Sequence, residues 1–306
     1  MGPYDPPQVI KTEVFATMPA KYAKSGSQPG KVTQYYARFA MGVDFYLEGP
    51  SFDRAGNLFF TDTPHGRIYR MTPKGEIDLF AEYDGEPNGM KIHKDGRMFI
   101  ADYHHGLMVL DPKTAKVTPF LDFKPYESFK GLNDLVFGSN GDLYFTDQGK
   151  TGLHDATGRV YRYSAEGRLE ALVETLPGPN GLVLSPDQNT LYVGSRSNTI
   201  WWQPLRHTHP PFRTGNFAVM TGFGTPDGMA IDVDGNVVCV QTNMGVVWVF
   251  NRIGLPIYRI QTCTSDKLTN IAYGGPDNKT MFILDGHGKI LTAQMPVAGL
   301  PMYSHS

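Results

Sequence analysis

The sequence predicts an all-β, six-bladed β-propeller with four antiparallel strands per blade, on three observations. The stretch LEGPSFDRAGNLFFTD, from Leu47 to Asp62, returns five times, as PNGMKIHKDGRMFIAD, LNDLVFGSNGDLYFTD, PNGLVLSPDQNTLYVGS, PDGMAIDVDGNVVCVQT and the more worn TNIAYGGPDNKTMFILD. The leading polar residues, Glu48, Asn88, Asn133, Asn180, Asp227 and Asn270, recur at intervals of 40, 45, 47, 47 and 43 residues. A period of about 40 to 50 residues built from short strands is the signature of a propeller blade. Each copy is an apolar alternation, a Gly/Asp/Asn turn and a second alternation, which is the pattern of a hairpin.

The elements follow in chain order. Residues 11–16, KTEVFA, form a strand with no local partner, so it is expected to close the ring by completing the last blade beside KILTAQMP from Lys289. Residues 19–45 are longer than a tight connection and carry Tyr35 and Tyr36. They are expected to form a lid or rim wall, or else a surface loop packed on itself. The second blade divides most clearly: NGMKIHK, a DG turn, RMFIADY, an HHG connection, LMVLDP, and KVTPFLD after a KTA turn. The whole chain, 1–306, is expected to be one propeller domain, because a closed radial array carries this length as a unit.

Composition agrees with many short, well-punctuated strands around a core: Gly 34, Pro 23 and 41% hydrophobic residues. A net charge of −2 with scattered Lys and Arg offers no basic stripe for nucleic acid or anionic lipid. The N-terminal MGPYDPPQVIKTEV lacks a basic segment followed by an apolar run, so a cytoplasmic location is expected. Two cysteines, Cys239 and Cys263, make no disulfide framework and are read as buried free thiols.

Up-and-down strands place the leading polar residues on the same face as the loops between the second and third strands. That step gathers His65, His104, His105, Gln148, Lys150, Arg196, Asn243 and His287 around one mouth. The innermost strands point Glu48, Asp227 and four amides at the central channel. Buried carboxylates without a cationic partner are costly, and none of the six positions is Lys or Arg, so a bound cation is expected. An all-oxygen ligand set in a roomy ring suits Ca²⁺ better than Mg²⁺, and Zn²⁺, Mn²⁺ or Fe²⁺ can compete. The alternative is that these residues are Asx caps stitching the blades. The adjacent pair His104–His105 should point oppositely on a strand, leaving one to meet substrate at the rim.

LEGP around Glu48, GLND around Asn133, PNG around Asn180 and PDG around Asp227 together resemble the SMP-30/gluconolactonase family, over about residues 45–295. The resemblance implies one divalent metal, usually Ca²⁺, held by Glu48, Asn133, Asn180 and Asp227, with Asp227 as base or nucleophile and a looser correspondence at Asp134. It implies a metal-dependent hydrolase that opens a small-molecule lactone or ester, with Asp227 deprotonating the attacking water. Asn88, Lys130, His104 and Asn270 are the expected substrate contacts. The arginine that precedes the third-blade Asn in sugar-lactone members is absent, the segment reading FKGLND with Lys130. With Tyr103, Tyr126, Phe129, Trp201 and Trp202 as rim candidates, a less polar lactone or aryl ester fits. Competing readings are an organophosphate-hydrolysing, phosphotriesterase-like propeller and a non-catalytic, metal-pinned binding propeller. G-x-S-x-G, H-E-x-x-H and P-loop motifs are missing.

Overall fold

A computed structural model describes residues 5–23, 43–121, 127–205 and 213–306. Six sheets are arranged as the blades of a propeller, spanning 47–82, 87–121, 132–176, 179–219, 226–261 and 268–294. In every blade successive strands pair antiparallel, and the innermost strands meet in cyclic order, the sixth against the first. The second blade runs Pro87–Ile92, Met98–Asp102, Gly106–Asp111 and Lys116–Leu121, close to the boundaries read from the repeat.

The core lies between blades. Phe59 and Ile68 of the first blade pack with Met90 and Ile100 of the second, and Phe60 and Tyr69 pack with Leu284 and Ile290 of the sixth. No blade buries its face alone, which is why the repeat must close on itself.

Closure uses the N-terminal segment twice. Glu13–Thr17 pairs antiparallel with Lys289–Gln294 and supplies the fourth strand of the sixth blade, as the sequence predicts. The sequence reading did not anticipate Gln8–Lys11, which adds a parallel fifth strand to Pro256–Gln261 of the fifth blade. Thr12 sits between the two strands, its hydroxyl donating to Gln261 O and accepting from Cys263 N. Cys263 is therefore in an exposed connection and corrects the expectation of two buried thiols; only Cys239, inside the fifth blade, is buried. The far end of the channel is covered by residues 300–306. There Tyr303 stacks on Phe137, and Arg54 donates to Ser304 O, below an apolar lumen cavity of about 280 Å³.

Among the described residues no helix is long and apolar enough to cross a membrane. Residues 24–42, most of the expected lid with Tyr35 and Tyr36, lie outside the described residues, as does Tyr126.

Candidate functional site

Each innermost strand carries a register shift at its leading polar residue. In the second blade Pro87 opposes Asp102 and Met90 opposes Ile100, so three steps on the inner strand match two on its neighbour. The same shift recurs in the other five blades. A bulge re-aims the side chains beside it, and here it acts on Glu48, Asn88, Asn133, Asn180, Asp227 and Asn270 alike. Hydroxyls from second or inner strands then hold the bulged backbone of the next blade: Thr61 donates to Asn88 O, Thr146 to Asn180 O and Thr269 to Leu47 O, at 2.7, 2.8 and 2.6 Å.

All six leading side chains are buried, and the structure brings several of them into contact. The Asn270 Nδ2 donates to Glu48 Oε2 at 3.1 Å and to Asp134 Oδ2 at 3.3 Å, tying the sixth blade to the first and third. Its own Oδ1 accepts from Ile271 N, so Asn270 presents a donor to the carboxylates. Asn180 donates to Asp227. Asn133 Nδ2 reaches Gln148 Oε1 in a long bond of 3.5 Å.

Asp134, which the family resemblance gives only as a looser correspondence, is drawn into the site by its bond from Asn270 and its charge on Glu48. The position after the leading residue is Gly49, Gly89, Gly181 and Gly228 in four blades, because a neighbouring chain passes there. A Cβ on Gly89 would lie 2.3 Å from Asp134 Oδ1, and one on Gly228 would lie 2.2 Å from Asn270 Cγ. In the third blade that position is a carboxylate instead. The departure of GLND from the X-Gly pattern is the signal that could have found it.

Burial dominates the electrostatics. Desolvation, then the Asp227 charge and, more weakly, Asp134, push the Glu48 carboxyl well above the usual range, against the Asn270 hydrogen bond. Burial likewise raises Asp134, against the Lys91 charge, and raises Asp227 to about 7, against the Arg196 charge and the Asn180 hydrogen bond. Arg196 and Lys91 lie outside the six leading positions, so the mouth is not wholly without cations, but three buried acids remain undercompensated. Such a set favours protons or a hard cation. Among the described residues no three His, Cys, Asp or Glu side chains form a metal cluster, so a cation would need the mixed carboxylate and amide set. Carboxylate and amide oxygens from four blades, at a site short of positive charge, fit a hard divalent ion.

The remaining candidates lie farther out. Lys130 is exposed, its Nζ donating to Thr157 and its N–H to Asp147. His104 is exposed; His104 and His105 occupy a turn rather than a strand, their N–H groups donate to Asp102, and their rings meet edge to face at 4.5 Å. Phe129 packs on Phe145 and Tyr161 as part of the blade core. In the mouth-side turn of the first blade, the His65 side chain is buried with Nδ1 on Asp62 at 2.9 Å, and among the described residues its Nε2 meets no partner. Gln148 Nε2, in the third blade, is also buried without a partner among the described residues.

These features define a closed six-bladed propeller with an acidic, amide-lined channel mouth. The SMP-30/gluconolactonase/LRE-like region model matches residues 47–287, and the chain belongs to that family. A gluconolactonase of Zymomonas mobilis subsp. mobilis is 30% identical over 89% of this chain and 88% of its own length. Lactonase drp35 of Staphylococcus aureus (strain MW2) is 31% identical over 70% of this chain and 69% of its own. Among solved structures, a calcium-binding regucalcin from Agrobacterium tumefaciens superposes with a TM-score of 0.75 at 20% identity, covering 98% of this chain and 99% of that one. A Xanthomonas campestris gluconolactonase gives 0.73 at 23% identity, over 82% and 86%. These two likenesses speak to the fold.

Proposed function

We propose that this protein is a divalent-metal-dependent hydrolase that opens a lactone ring. The observation that carries the reading is the pair of buried, mutually repelling carboxylates Glu48 and Asp227, with Asn180 donating to Asp227 and buried Asn133 at the matching place in the third blade. Membership in a family whose relatives include proteins named gluconolactonase and lactonase supports it.

Glu48, Asn133, Asn180 and Asp227 would hold the ion, and their hard oxygens favour Ca²⁺. Bound there, it would supply Lewis acidity toward the acyl oxygen of the ester. The rest falls to the chain. Asp227 accepts a proton from the attacking water, and the Arg196 charge and the Asn180 hydrogen bond favour its ionised form. The water oxygen bonds to the acyl carbon, the bond from that carbon to the ring oxygen breaks, and Asp227 returns its proton to the ring oxygen, which leaves as the hydroxyl of a hydroxy acid. Asn270 keeps Glu48 and Asp134 in place by donating to both. Asn88 and Asn270 border the channel as inner substrate contacts, with Lys130 and His104 as outer ones. The rim offers no arginine before Asn133, which favours a less polar lactone or aryl ester over a sugar-acid lactone.

The test is hydrolysis of sugar, aliphatic and aryl-fused lactones by chelated protein with Ca²⁺ added back. Turnover lost on chelation and restored by Ca²⁺ is the expected result. Protein that binds Ca²⁺ stoichiometrically and opens none of the lactones would overturn the proposal.

A further inference from the structure

Gln148 follows Asp147, the last residue of the third blade's second strand, in the turn that faces the channel mouth. Its side chain is buried, and the two ends of the amide meet different fates. Oε1 accepts from Asn133 Nδ2 at 3.5 Å, whereas among the described residues Nε2 meets no acceptor. A buried amide N–H₂ left unpaired is costly, so one that sits at a binding mouth and is tied through its other end to a leading channel residue asks for an acceptor that arrives from outside.

The position of that acceptor is constrained. Asn133 spends its nitrogen on Gln148, and among the described residues no donor reaches its Oδ1, which leaves the oxygen for a cation. Gln148 Nε2 cannot serve a cation, since it is a donor only. What it can serve is an electron-rich oxygen lying beside the place where Asn133 Oδ1 would meet the ion. On the lactonase reading, on which this inference rests, one substrate oxygen both seeks a cation and gains negative charge during reaction: the acyl oxygen. We infer that Gln148 is a catalytic hydrogen-bond donor to the acyl oxygen of the lactone, with its Oε1 fixing the orientation of Asn133. Donors aimed at an oxygen that becomes anionic act mainly on the transition state. His65 Nε2, similarly unpartnered, has no contact tying it to a channel residue and is not assigned this role.

The experiment compares Gln148→Met and Gln148→Glu with the parent at saturating Ca²⁺, measuring kcat, KM and Ca²⁺ affinity by calorimetric titration. Methionine keeps the length and removes the donor; glutamate keeps an acceptor for Asn133 and puts an oxygen where the N–H₂ stood. Expected is a fall in kcat of about 100-fold in both, the usual effect of deleting one such donor, with KM changed less than about threefold. Ca²⁺ affinity in Gln148→Glu should stay at or above the parent's. If Ca²⁺ binding weakens and kcat returns to the parent value once Ca²⁺ saturates, Gln148 only orients Asn133 and the donor role is wrong. A parent kcat retained by both variants overturns the inference while leaving the lactonase reading intact. A parent that opens no lactone removes both.

Discussion

At the scale of single residues, the acids of the mouth oppose folding when no ion is present. Asp227 is buried, and its carboxyl is raised to about 7 by desolvation despite Arg196 and Asn180. Replacing an undercompensated buried charge by a neutral isostere is often neutral or stabilising. Asp227→Asn is therefore expected to melt no lower than the parent when both are chelated at pH 8, and to melt a few degrees higher if the carboxylate is charged there. Added Ca²⁺ at about 100 times its Kd should stabilise the parent by about 2.7 kcal/mol, and that gain should be lost in the variant. Its lactone turnover should fall by at least about 100-fold, the scale of a missing general base. Thermal melts with and without Ca²⁺, beside an initial-rate assay, check all three. An Asp227→Asn protein with full turnover would exclude the residue as proton acceptor.

At the scale of the strand, the device that matters is the bulge with a small residue just past it. Gly228 is close to Asn270: a Cβ there would meet Asn270 Cγ and Oδ1 at 2.2 Å and its Cα at 2.5 Å. Gly228→Ala should therefore cost about 1–3 kcal/mol, as overpacking usually does. It should also weaken Ca²⁺ binding, because it displaces the amide that donates to Glu48 and Asp134. Adding Asn270→Ala should return part of the lost stability, giving a coupling that a double-mutant cycle of denaturation midpoints would measure. Strict additivity would mean the two residues do not press on each other. The leading residues were legible in the sequence because each opens an apolar alternation at a fixed period. Asp134 was legible only as a looser correspondence, because its contact comes from Asn270, in a blade more than a hundred residues away. Arg196 could be placed at the mouth from the strand order, but its charge on Asp227 could not, since that depends on how the fourth-blade turn packs beside the fifth-blade strand. Cys263 was misjudged because the burial habit of cysteine holds for strand interiors, whereas this one lies in a connection pinned to Thr12.

At the scale of the whole molecule, the ring is held shut where chain beginning and chain end meet. Strand count and closure in the sixth blade could be read from KTEVFA and KILTAQMP. The second pairing, of Gln8–Lys11 with the fifth blade, could not, since a four-residue parallel edge strand leaves no periodicity to detect. The N-terminal segment therefore spans the boundary between the fifth and sixth blades. Its strand side chains are mostly exposed, so its contribution comes from ladder hydrogen bonds and from Met18, which is buried in the core between the sixth and first blades. Hydrogen bonds add about 1 kcal/mol each at most, and burying one such side chain about 1.5–3 kcal/mol. A chain started after Met18 is thus expected to lose about 3–6 kcal/mol and to melt roughly 5–15 °C lower. It should also self-associate, because Lys289–Gln294 becomes an open sheet edge able to recruit a strand from another copy. Calorimetry and size-exclusion chromatography read the two effects separately. Adding the peptide of residues 5–18 should reverse both, whereas a truncated protein that stays monomeric with an unchanged melting point would mean that contacts between the inner strands of the sixth and first blades suffice to close the ring.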